Sequence, residues 1–116
     1  MNYVDGFLVP VPTAKREAYL AVAQKAAKIF KKHGALSVVE AWGDDVPEGE
    51  VTSFTMAVKR KDDETVVFSW ITWPDKATRD KGMKASMEDF EAGEMPEMPF
   101  DGKRMVFGGF QAIVEE

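Results

Sequence analysis

The chain contains no cysteine and only one histidine, His33, among its 116 residues. The missing thiols exclude disulfide bonds, thiolate metal sites and a cysteine nucleophile. A transition-metal site is not expected either, because such sites combine several histidine or cysteine ligands. We therefore expect neither a metal nor another cofactor. We interpret His33 as a residue at the end of a helix, where a cation complements the helix dipole.

Long apolar runs are also missing. No run approaches the roughly 20 residues that cross a bilayer, and the N-terminus lacks the basic-then-apolar pattern of a signal peptide. Together with the absence of cysteine, this predicts a cytoplasmic protein. A hydrophobic content of 45% over 116 residues predicts one domain, residues 1–116, with a substantial core.

Basic residues are outnumbered by acidic ones, 15 to 20, for a net charge of −5. Such a domain is a poor general binder of nucleic acid, because phosphate contacts need a positive footprint. Residues 13–33 are the exception, with six basic residues and one acid. This segment predicts a helix with a basic face that could dock a protein partner. The face comprises Lys25, Lys28, Lys31 and Lys32.

Apolar periodicity predicts five strands and two helices in the order β-α-β-β-β-α-β. The strands are predicted at residues 3–11, 36–42, 51–60, 65–73 and 104–114, and the helices at 13–33 and 76–90. Asp75 is a predicted N-cap for the second helix. Gly82 lies in the middle of that helix, where glycine is unfavourable.

The last two predicted strands are apolar on both faces, which is typical of strands buried on both sides. Two helices on one sheet face would leave the other face bare. An apolar face of that size is a liability in a monomer, so we expect two sheets to pack together in a two-fold homodimer. The alternative is that a long loop, such as residues 93–102, covers the face.

Four segments resemble the YbaA-like family, small bacterial proteins of unknown function. They are Y-V-D-G-F (3–7), V-V-E-A-W-G-D-D-V-P (38–47), V-V-F-S-W-I-T-W-P (66–74) and M-P-F-D-G-K-R-M-V-F-G-G-F (98–110). The resemblance implies an α+β fold: a ferredoxin-like dimeric α+β barrel, with an antiparallel sheet and two helices on one face. It implies no activity, and whether the protein is an enzyme stays open.

Glu40 is the candidate catalytic residue, because it lies on the apolar face of a predicted strand with Val38 and Trp42. A carboxylate there is costly unless it is paired or hydrated. One interpretation is a wet cavity in which Glu40 has a raised pKa and acts as a general base. The other is an ion pair, to Arg104 or to a helix lysine. Asp5 poses the same question in the first strand.

Aromatic side chains are the candidate ligand-binding residues. Phe7, Trp42 and Trp70 could wall a pocket for a small apolar molecule, or could equally fill the core or the dimer interface. The sequence thus predicts a small homodimer that binds an apolar molecule between helices and sheet. The alternative function is a non-catalytic interaction module that uses the basic helix face.

Two further motifs predict structure and not chemistry. The acidic segment 43–50 lacks the spacing of a calcium loop and reads as a solvated turn. Gly108 and Gly109 follow no strand-to-helix turn, so they are not a phosphate loop. Glycines inside a strand instead permit the close approach of an aromatic ring or another backbone.

Overall fold

The computed structural model describes residues 1–94 and 97–116, and four strands and three helices form the regular structure of that part. The strands are β1 (Tyr3–Pro12), β2 (Ser37–Trp42), β3 (Glu64–Trp73) and β4 (Val106–Gln111). The helices are α1 (Arg16–Lys32), α2 (Phe54–Ala57) and α3 (Lys76–Asp89). Short turns of other helical types lie at Thr13–Lys15, Phe90–Glu94 and Gly102–Arg104.

The four strands form one antiparallel sheet in the order β2-β3-β1-β4. Apart from the one-turn helix α2, the chain order is β-α-β-β-α-β. This order and this sheet arrangement are those of a ferredoxin-like fold, and the predicted α+β class with an antiparallel sheet is confirmed. The central strand β1 pairs with both β3 and β4, so a side chain on β1 has neighbours on two sides.

The predicted third strand at residues 51–60 is wrong. This segment contains α2 instead, and Ser53 caps it by accepting a 3.0 Å hydrogen bond from the Met56 amide. The alternation of apolar residues that suggested a strand has another cause. Phe54 packs edge-on against Phe68 of β3, with 5.7 Å between ring centroids, and Val58 is fully buried. Tertiary packing, and not pairing with another strand, therefore sets the pattern.

The core lies between the sheet and the helices α1 and α3. Side chains from alternate positions of β1 and β3 meet apolar residues of both helices in two clusters. The buried members are Tyr3, Val9, Val11, Tyr19, Ala23, Ala35, Val67, Ile71 and Trp73. Asp5 has the structural partners expected for a buried carboxylate, since it accepts a 2.9 Å hydrogen bond from Trp73 Nε1 and lies 3.5 Å from Arg79 Nε.

Gly82 lets α3 approach the sheet closely. A Cβ atom at this position would collide with the Trp73 ring and with the His33 carbonyl oxygen. We therefore predict that Gly82→Ala lowers the free energy of unfolding by about 1–3 kcal/mol, the usual cost of overpacking. Helix propensity alone predicts the opposite, a gain of about 1 kcal/mol.

Urea denaturation monitored by circular dichroism measures this effect. Gly102→Ala is the matched control, because a Cβ atom there meets nothing within 4 Å. We expect it to change stability little. A Gly82→Ala variant more stable than the wild type would contradict the packing argument.

The second face of the sheet is apolar, and none of the described residues places a long helix on it. It forms a concavity of about 690 Å³. Its walls include Val4, Leu8, Phe68, Trp70, Val106 and Phe110. The loop at 93–102 was the expected alternative cover. Met95 and Pro96 lie outside the described residues, and Met98 and Phe100 of that loop pack on the helix side of the sheet.

The glycine pair in β4 serves packing, as predicted. The Phe110 ring lies beside Gly108, where a Cβ atom would be 3.4 Å from the ring. At Gly109 a Cβ atom would collide with the Arg79 guanidinium and the Tyr3 hydroxyl. The strand itself is shorter than expected and lies at the edge of the sheet.

Candidate functional site

A cavity of about 380 Å³ lies between the sheet and the helix layer. Most of its wall is apolar and comes from α1, α3, three strands and the segment that follows α3. The apolar lining includes Phe7, Val9, Val22, Ala26, Phe30, Val38, Ile71, Met87, Phe90, Phe100 and Met105. Three lining side chains carry polar groups, namely Tyr19, Glu40 and Ser69. This composition is typical of small-molecule sites, which combine apolar walls with a few placed polar groups.

Glu40 borders this cavity from the edge strand β2. The residue as a whole is exposed, because β2 has no outer neighbour, but its carboxylate turns toward α1. Glu40 Oε1 accepts a 2.6 Å hydrogen bond from the Tyr19 hydroxyl. The expected ion pair with Arg104 is wrong, because Arg104 binds Glu64 through contacts of 2.6 and 2.8 Å.

The Glu40–Tyr19 pair has unusual proton affinities for a physical reason. Burial raises the pKa of the Glu40 carboxyl above its ordinary value, and the hydrogen bond from Tyr19 opposes this only in part. Burial, followed by the negative charge and hydrogen bond of Glu40, also raises the pKa of the Tyr19 hydroxyl. Tyr19 therefore stays a neutral donor, and Glu40 is the group that exchanges a proton.

We predict that Glu40→Gln raises the melting temperature at pH 8. The raised pKa means that the folded state binds a proton more readily than the unfolded state, so wild-type stability falls as pH rises through that pKa. Glutamine removes the penalty on the charged form and still accepts the Tyr19 hydrogen bond. The gain should shrink to nothing near pH 4, where both side chains are neutral.

Thermal melts across pH 4–8 test this, and Glu64→Gln is the matched control. Its hydrogen bonds from Arg104 lower the pKa of Glu64, so its charged form stabilises the fold. That stabilisation is present above the ordinary glutamate pKa and is lost as pH falls through the lowered value. The control should thus have a lower melting temperature at pH 8. If both variants change the melting temperature at pH 8 in the same direction, the raised pKa of Glu40 is contradicted.

The structure brings some of the predicted site residues together and separates one. Phe7 lines the cavity that Glu40 borders. Trp42 lies beside Glu40 in a small recess of about 80 Å³, with the Arg16 guanidinium 5.5 Å from its ring centroid. Trp70 lies on the opposite face of the sheet, where its ring centroid is 5.4 Å from that of Phe68. It does not line the cavity.

Sequence reasoning missed two polar residues of the cavity, Tyr19 and Ser69. Tyr19 lies on the apolar stripe of α1 and read as a core residue. Ser69 is a single hydroxyl inside the apolar strand β3 and is only 5% exposed. The signal that could have found Ser69 is the one that selected Glu40, a polar residue on an apolar strand face.

Other predicted features have ordinary structural partners. His33 is the C-cap residue of α1, and its Nε2 atom lies 2.7 Å from Asp89 Oδ2. On the basic helix face, Lys31 binds the Leu36 carbonyl and Lys32 binds Asp89. No group of three or more potential metal ligands occurs within residues 1–94 and 97–116. The expectation that the protein has no cofactor stays a prediction.

In the described part of the chain, no helix is long and apolar enough to cross a membrane. Location in the cytoplasm stays a prediction from the sequence.

Comparisons with known proteins give a family and a fold. A family model described as "Protein of unknown function (DUF1428)" matches residues 2–102. Proteins of Escherichia coli K12 and Shigella flexneri, both called "Uncharacterized protein YbaA", are 54% identical over 117 residues and match 100% of both chains. A dimeric ferredoxin-like protein from an uncultured marine organism superposes with a TM-score of 0.66. It is 10% identical, over 99% of this chain and 98% of that one.

Proposed function

The chain belongs to the DUF1428 family, as its resemblance to YbaA indicated, and from that premise we propose that it is a homodimer that binds a small, largely apolar molecule between its helices and its sheet. The observation that carries the proposal is the cavity of about 380 Å³ bordered by Glu40. Its apolar wall would bind a molecule by burial of apolar surface, and its three polar side chains would orient it.

The size of the cavity supports a ligand. A volume of about 380 Å³ is within the usual range for small-molecule sites. The cavity is partly open at the protein surface, so a ligand can enter, and filling it would remove apolar surface from water. Apolar cavities also take up apolar molecules readily. We therefore interpret the cavity residues on α1, β3 and the segment after α3 as a ligand-binding site.

The bare sheet face supports the homodimer. Phe110 is 62% exposed and Phe68 45% exposed, on a face that is otherwise apolar. A second copy placed by a two-fold axis would cover this face with the same surface of its partner. The ferredoxin-like protein of similar fold is described as dimeric, which favours the same assembly here.

Acid–base chemistry in the cavity would fall to Glu40. It is the one carboxylate among the described residues that line the cavity, and burial raises its pKa above the ordinary value. A raised pKa makes a carboxylate a stronger general base. Phe7 would pack against the bound molecule, and Trp42 would close the recess beside Glu40.

Equilibrium binding of naphthalene, a purely apolar probe, tests the proposed site. We expect a dissociation constant of about 10–100 µM, which corresponds to roughly 0.6 kcal/mol per carbon atom. Ala26→Phe should abolish binding, because Ala26 lines the cavity and the larger ring would fill it.

Gln24→Phe is the matched control, since Gln24 is exposed on the same helix and does not line the cavity. It should bind naphthalene like the wild type. The proposal fails when the wild type binds no naphthalene, and it also fails when Ala26→Phe binds as well as the control.

A further inference from the structure

Two oxygen atoms of the cavity side chains have no hydrogen-bond partner within residues 1–94 and 97–116. One is Ser69 Oγ, and the other is Glu40 Oε2, the carboxylate oxygen that Tyr19 leaves free. Ser69 is only 5% exposed, whereas Glu40 as a whole residue is exposed. Polar groups on a cavity wall hydrogen-bond to whatever occupies the cavity, water or a bound molecule. Both oxygen atoms are therefore free to hydrogen-bond to a ligand there.

The two oxygen atoms belong to directly opposed residues. Glu40 on β2 pairs with Ser69 on β3 in the antiparallel ladder, and both side chains stand on the helix side of the sheet. Directly opposed residues have Cβ atoms roughly 4.5–5.5 Å apart, so one small group can contact both side chains. The Tyr19 hydroxyl holds Glu40 Oε1 at 2.6 Å and thereby fixes the orientation of the carboxylate.

We propose that this end of the cavity recognises a hydroxyl group on an otherwise apolar, aromatic molecule, a phenol in its neutral form. The ligand hydroxyl donates to Glu40 Oε2 and accepts from Ser69 Oγ. This inference rests on the proposed function, because it concerns the same cavity.

A hydroxyl group fits this pair better than other polar groups do. It can donate to the carboxylate and accept from the serine hydroxyl at the same time, so both side chains gain a hydrogen bond. A carbonyl oxygen only accepts, so it offers the Glu40 carboxylate no donor. An ammonium group could donate to both oxygen atoms, but it would bring a second charge into an otherwise apolar cavity at a cost in desolvation. A carboxylate would be repelled by the charge of Glu40.

The rest of the cavity fits an aromatic body. Phe30 and Phe90 meet edge to face with ring centroids 5.5 Å apart, and Tyr19 and Phe100 meet similarly at 6.0 Å. These rings line the cavity, where aromatic partners prefer the same edge-to-face or offset geometry. The raised pKa of Glu40 makes its carboxylate a stronger acceptor for a ligand hydroxyl.

Two probes of nearly equal shape test the inference: 2-naphthol, and 2-methylnaphthalene, in which a methyl group replaces the hydroxyl. Binding of both is measured at pH 8 to the full-length protein. We expect 2-naphthol to bind at least about tenfold tighter. Ser69→Ala and Glu40→Leu should each reduce this preference at least about threefold, with 2-methylnaphthalene binding retained.

Ser86→Ala is the matched control, because Ser86 is a fully buried serine that donates to the Gly82 carbonyl within α3. It should leave the preference unchanged. Equal wild-type affinity for the two probes would overturn the inference and leave the proposed cavity standing. A preference that survives both Ser69→Ala and Glu40→Leu would also overturn it. Failure of both probes to bind the wild type would instead refute the proposed function.

Discussion

Phe110→Glu is expected to convert the proposed homodimer into folded monomers. Phe110 is 62% exposed in the protomer, so a charge there is tolerated by the isolated fold. In the proposed dimer, two such charges would be buried between apolar sheet faces. Together they would cost at least about 4 kcal/mol, so the dimer should dissociate at least about a thousandfold more readily. Light scattering after size exclusion should change from about twice the chain mass of 12.9 kDa to that mass.

Gln24→Glu is the control for this experiment. It adds the same charge to an exposed position of α1, on the opposite side of the sheet from the bare face. The control should stay dimeric, with the far-ultraviolet circular dichroism of the wild type. A wild-type protein that is monomeric at micromolar concentration would refute the sheet-to-sheet assembly. A Phe110→Glu protein that remains a dimer would place the interface on another surface.

Trp73→Ala is expected to lower the free energy of unfolding by about 3–5 kcal/mol, the cost of deleting a large buried side chain. Trp73 is completely buried, and its ring fills the space that Gly82 leaves open on α3. Its indole N–H also donates the 2.9 Å hydrogen bond to Asp5. Removing the ring thus leaves a cavity and takes a hydrogen-bond donor from a buried carboxylate.

Two further variants separate these contributions in urea denaturation. Trp73→Phe keeps most of the packing but removes the donor to Asp5, so its cost should fall between those of the wild type and Trp73→Ala. Trp42→Ala, at a half-buried tryptophan on the edge strand, should cost clearly less than Trp73→Ala. If Trp42→Ala and Trp73→Ala lower the free energy of unfolding by similar amounts, the core is not centred on Trp73.

Much of the fold could be predicted from local patterns. The amphipathic period gave a helix at 13–33, and α1 occupies Arg16–Lys32. Asp75 caps α3 as expected, accepting a 2.7 Å hydrogen bond from the Thr78 amide. Each of these signals lies within a few neighbouring residues, so no tertiary information is needed to interpret it.

The errors come from features that only tertiary structure determines. Alternation at residues 51–60 resembled a strand, yet Phe54 and Val58 are apolar because of what they contact across the fold. Strand β4 is apolar on both faces, which predicted burial on both sides, either in a sheet centre or at an interface. It is an edge strand whose Phe110 remains exposed in the protomer. The apolar pattern indicates burial but does not identify the covering surface.

The candidate site could be predicted only in part for the same reason. Glu40 stood out because a carboxylate on an apolar strand face needs an explanation. Its partners could not be found, because the pairing of Glu40 with Tyr19 and its position opposite Ser69 depend on helix packing and strand register. Trp70 has the same residue type as Trp42, and only the pleat of β3 directs it to the opposite face.

The measurement that tests the central claim most directly is a titration of the isotope-labelled protein with naphthalene, followed by amide NMR spectra. Our account predicts saturable shifts with one ligand per protomer, concentrated at the cavity residues Ala26, Glu40 and Ser69. Amides of the bare sheet face, such as Leu8 and Gly108, should change little. Shifts confined to Leu8, Gly108 and their neighbours, or no saturable shifts at all, would contradict a binding site between the helices and the sheet.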